Sequence, residues 1–170
     1  MARWTYLPTA FVVLAAWGGA QTPAPPISPE DKLRLHRANS PLIEQLVHDG
    51  VALSNAADPV QRAERCREAS VSLALAIQQA VRTEDAGRVT ELTGLYRDLL
   101  RDGLVPTLND ARREVTPDSP GGKKLRELRT ATADNVAELK AQLPAGKLAA
   151  EPGVKDALKQ LDELAEALNK

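Results

Sequence analysis

"DPVQRAERCREASVSLALAIQQAVR", residues 58–82, decides the fold. Asp58 offers a carboxylate to the orphan N–H groups of a helix start. Pro59 takes the first helical position, where its missing N–H does no harm, and Gln61 stands where its amide can reach back toward the cap. Ala63, Cys66, Ala69 or Ser70, Leu73, Ile77 and Ala80 or Val81 then recur at steps of three and four, the period of an α-helix. Val71 and Leu75 project from another side, and a helix apolar on more than one side is central to its bundle. This predicts a long helix from Pro59 to about Arg82.

The same period extends in both directions. Upstream, Ser28, Pro29 and Glu30-Asp31 read as cap, first position and acids against the positive end of the dipole. Leu35, Ala38, Leu42, Leu46, Gly50 and Leu53 form one stripe, and Ser40-Pro41 is expected to kink or briefly break it.

Downstream, a break is expected near "RTEDAGRV". Val89, Leu92, Tyr96, Leu99, Leu100, Leu104, Leu108, Ala111 and Val115 resume the period, with a bend or break expected at Gly103 and Pro106. "TPDSPGG", residues 116–122, reads as a turn. Leu125, Leu128, Thr132, Val136, Leu139 and Leu143 give a further helix ending at Pro144. Val154, Leu158, Leu161, Ala165 and Leu168 give a last one with a narrow, coiled-coil-like seam. No stretch alternates with period two. The expected fold is all-α, an up-and-down antiparallel bundle of four to five helices over residues 28–170.

The N-terminus carries a different message. "MARWTYLPTAFVVLAAWGGA", residues 1–20, has Arg3 and no acid, an apolar stretch from Ala10 to Trp17, then small residues, which is the layout of a secretory signal peptide. Cleavage is expected between Ala20 and Gln21. The apolar stretch falls short of the ~20 residues of a membrane-spanning helix, so no membrane span is expected in the mature chain. Residues 21–27, rich in proline, read as an extended tether. The expected location is outside the cytoplasm, periplasmic or extracellular.

Export changes the inventory. Trp4, Tyr6, Phe11, Trp17 and the single methionine fall in the removed segment, leaving Tyr96 as the one aromatic residue of the mature chain. Stacking sites for a cofactor or for nucleic acid lose their raw material. The full chain holds 22 basic and 23 acidic residues, so there is no electrostatic footprint for a polyanion. Arg112-Arg113 and Lys123-Lys124 sit among acids and read as solvated surface.

Catalytic constellations are equally sparse. One cysteine cannot supply a Cys-x-x-Cys-His haem motif, and Leu33 and Gln45 stand three before His36 and His48, where a di-iron site needs glutamate. The two histidines point about 120° apart on one helix at ~100° per residue, so they cannot share an ion. Glu163 with Glu166, and Asp98 with Asp102, lie one turn apart as carboxylate pairs do on any solvated face. No catalytic residue, metal ligand or cofactor is expected.

The thiol candidate is Cys66. Arg65 and Arg67 point about 100° away from it, and only Arg62, one turn earlier, shares its side. Cys66 is read first as a core residue, with a redox sensor or covalent dimer as the alternative. The expected function is that of an exported, noncatalytic bundle binding another envelope or extracellular macromolecule, a protein partner of unspecified identity. Self-association into a homo-oligomer and an enzyme with an unfamiliar site stand as alternatives.

Overall fold

The computed structural model describes residues 28–144 and 146–169. The expected signal peptide, its cleavage point at Ala20 and Gln21, and the tether at 21–27 lie outside the described residues. The fold is an all-α bundle with no strand among the described residues. Its helices are α1 (Pro29–Ser54), α2 (Pro59–Arg82), α3 (Ala86–Asp98), α4 (Val105–Glu114), α5 (Pro120–Gln142) and α6 (Pro152–Leu168). A π-helical turn, Leu99–Leu104, joins α3 to α4, and a 3-10 turn, Gly146–Ala150, precedes α6.

Helix α2 is the hub. It packs against α1, α3, α4 and α5, while α6 closes the ring by packing on α3 and α5. Its start is built as the sequence implies: Gln61 N donates to Asp58 Oδ1 at 2.9 Å. The Gln61 side chain reaches one residue further back than expected, accepting from Ala57 N at 3.4 Å. Ala63, Cys66, Ala69, Ser70, Leu73, Ile77 and Ala80 are buried. The second apolar side is only partly covered: Val71 is half-buried and Leu75 stays exposed beside α5.

Three expectations are corrected. Helix α1 runs unbroken through Ser40-Pro41, because Pro41 lies on the exposed side, where water can satisfy the carbonyl its missing N–H leaves free. Its inner stripe of Leu42, Leu46 and Leu53 is half-buried against the core; the side chains of Leu35 and Ala38 lie outside the described ones.

Second, residues 116–122 are not all turn. Helix α5 already begins at Pro120, with Ser119 as cap accepting from Gly122 N at 3.1 Å.

Third, the seam of α6 runs through Val154, Ala157, Leu161, Leu164 and Leu168, with Leu158 and Ala165 on its flank. These are still steps of three and four, displaced by one residue at two places.

At Gly103 and Pro106 the chain stays helical, but a π turn, Leu99–Leu104, separates α3 from α4 where a bend or break was expected. Leu92, Tyr96, Leu100, Leu104 and Leu108 are all buried, at steps of four. In a regular α-helix each such step drifts by ~40°. The wider π turn, closed by Val105 N on Leu100 O, takes up that drift one residue before Pro106 and keeps the row on the core.

Candidate functional site

The thiol comes first because it is the one reactive side chain singled out by the sequence. Cys66 is 2% exposed and inside the core cluster, with Thr107 beside it across the bundle. Burial raises the thiol above its ordinary pKa, and the Thr107 contact offsets this only in part. Arg62 does not join it: that side chain is exposed and donates from Nε to Ala56 O at 3.4 Å, back over the helix start. The pair therefore does not form an activated thiolate site.

The titratable candidates are also held apart or neutralised. His48 is exposed, and the His36 side chain lies outside the described ones. Among the described residues no three His, Cys, Asp or Glu side chains gather as a metal ion would require. Asp102 receives Arg101 Nε and Nη2 at 2.8 Å each, and Asp98 receives Arg97 Nη2 at 2.7 Å. The hydrogen bond from Arg101, followed by its charge, lowers the Asp102 carboxyl, the opposite of what a general acid near neutrality needs. Glu163 and Glu166 are exposed on α6.

What the structure adds is a surface. Ile43, Val47 and Val51 stand 50, 61 and 56% exposed at steps of four along α1, beside the half-buried row that faces α2. Leu95 on α3 is 49% exposed. Between α1 and α3, Leu46, Gly50, Leu53, Leu73, Leu95 and Leu99 line a shallow groove of about 240 Å³. Its single charged neighbour, Asp49, is 4% exposed and already accepts from Gln45 Nε2 at 2.8 Å and Ser72 Oγ at 3.3 Å. The face is therefore apolar rather than charged.

The outer row lies one residue after the inner one at each step, since Ile43 follows Leu42 and Val47 follows Leu46. The stripe expected from the sequence is the inner row alone, and packing leaves the outer row uncovered beside it. Comparison with protein-family models, with curated proteins and with solved structures finds no match.

Proposed function

We propose that this is an exported, noncatalytic helical bundle that binds another envelope or extracellular protein through the outer face of α1. The observation that carries the reading is the exposed row Ile43, Val47 and Val51 on α1; the groove lined by Leu46, Gly50 and Leu95 adds apolar surface on the same helix. An apolar row of this kind on an otherwise charged chain marks an interaction surface. Its repeat of four matches the ridge spacing of a partner helix laid along it.

The occupant is an amphipathic helix of a different protein. A few half-exposed aliphatic side chains fall well short of the ~800 Å² per partner that a standard stable interface buries, which argues for a weak or transient partner over a permanent homodimer. Export is supported by the N-terminal layout of residues 1–20. Among the described residues no helix is long and apolar enough to cross a membrane.

The test is site-specific photocrosslinking in the exporting cell, with the crosslinker at Val51 and a control at Lys159 on α6. A discrete species of heterologous mass at Val51, absent at Lys159 and lost in Ile43→Asp and Val47→Asp, is expected. A species at twice the monomer mass would make a second copy the occupant. Equal labelling at both positions would remove the α1 face from the reading.

A further inference from the structure

Helices α5 and α6 are unequal in length, and their register leaves one end of the bundle open. The ion pair of Lys140 with Asp162 marks that register. In an antiparallel pair it puts Leu168, six residues beyond Asp162, about level with Asp134, six residues before Lys140. The first half of α5 extends past α6, flanked by α4 and the turn at 115–119.

At that end lies a cleft of about 380 Å³, with Arg112, Arg126 and Arg129 on its walls beside Val115, Pro117 and Leu125. No carboxylate lines it among the described residues. Arg126 Nη1 is engaged by Pro117 O at 2.6 Å. The other two guanidiniums are not matched: Arg129 Nε is buried with no hydrogen-bond partner among the described residues, and Arg112 has no ion pair among them. Asp110, two residues before Arg112 on α4, instead faces Arg113 at 3.6 Å. Burial, and then the charge of Arg112, lower the Arg129 guanidinium from its ordinary value, so the cleft holds like charges at a cost. Arg112 is exposed, as its place among acids implies. The residues that give it company, Arg126 and Arg129, come from a different helix.

We infer that this cleft binds an organic anion, whose phosphate or carboxylate head bridges Arg112 and Arg129 while its apolar body rests on Val115 and Leu125. A guanidinium presents paired N–H donors that match either head. Apolar walls beside a few convergent polar groups are the usual make-up of a small-molecule site. No aromatic side chain lines the cleft, so the apolar body is aliphatic rather than a stacked base.

The test titrates the purified chain with octyl phosphate and octanoate at submicellar concentration, and with inorganic phosphate, all at one ionic strength. At least one amphiphile is expected to raise the melting temperature and to bind more tightly than inorganic phosphate; the tighter of the two identifies the head. Arg129→Gln and Arg112→Gln are each expected to weaken it by about tenfold or more, as loss of a charged hydrogen bond does. Arg112→Lys should recover part of the affinity, and Arg113→Gln should leave it unchanged. Without ligand, Arg129→Gln should melt no lower than the parent, which separates a lost site from a lost fold. Binding of neither amphiphile, affinity indifferent to Arg112 and Arg129, or inorganic phosphate binding as tightly as both amphiphiles overturns the inference.

Discussion

Ser72 Oγ, its one proton shared with Glu68 O, reaches Asp49 Oδ2 at 3.3 Å and links α2 to α1 through a carboxylate that is 4% exposed. Gln45 Nε2 holds the other oxygen at 2.8 Å, so a buried anion sits between two neutral donors. Removing one donor leaves the carboxylate short of a partner, whereas replacing the acid removes the demand altogether. Ser72→Ala is therefore expected to loosen α1 by about 1 kcal/mol, and Asp49→Leu to be neutral or stabilising. Because α1 packs chiefly on α2, amide exchange should report the loss in α1 while the amides of α5 and α6 keep their protection. A uniform loss in every helix would show that α1 does not open on its own.

Cys66 faces the widened turn of the third helical run, where a Cβ placed on Gly103 would stand 3.8 Å from its Sγ. Enclosed there, with its pKa raised, the thiol is expected to react with a disulfide reagent only under denaturing conditions. Labelling of the native protein at the rate of a free thiol would revive the redox reading. So would a reductant-sensitive dimer lost in Cys66→Ser.

The fold was legible because its information is local. The Asp58-Pro59 start, the stripe from Ala63 to Ala80 and the turn signals around Ser119 each follow from short-range chemistry. The π turn was not legible: the row from Leu92 to Leu108 reads as regular helical period, with a bend or break expected at Gly103 and Pro106. The α1 face and the arginine cleft were not legible, for one physical reason. Whether the outer side of α1 is covered depends on what packs beside it, and Arg112 shares a cleft with Arg129 only because α4 packs on α5. Both depend on register between distant helices.

Tyr96 is fully buried, and its hydroxyl has no hydrogen-bond partner among the described residues. Burial pushes its ionisation well above the ordinary value of 10.0. The sign follows from linkage: the folded state prefers the neutral phenol, so this contribution is complete below pH 10.0 and is lost as pH rises beyond it. Tyrosinate absorbance should appear only at alkaline pH above the free-tyrosine range, together with unfolding by circular dichroism. Tyr96→Phe should abolish that absorbance in the mature chain and leave stability unchanged or raise it by up to about 1 kcal/mol, because it deletes an unpaired buried hydroxyl.

Two helical glycines should respond in opposite directions to the same substitution. Around Gly94, inside α3, a Cβ would meet nothing within 4 Å. Gly94→Ala is then expected to stabilise by about 0.5–1 kcal/mol through the lower chain entropy of alanine in the unfolded state. At Gly122, in the first turn of α5, a Cβ would lie 2.4 Å from both the Thr116 and Pro117 carbonyl oxygens. Those atoms are backbone and cannot turn aside as a flexible side chain would. The turn would have to open, pulling Gly122 N away from Ser119 Oγ and costing about 1–3 kcal/mol of packing in addition to the cap. Urea melts of the two variants should move to opposite sides of the parent. A stabilised Gly122→Ala would mean that the turn at 115–119 does not fold back onto α5 and that the arginine cleft beside it has a different floor.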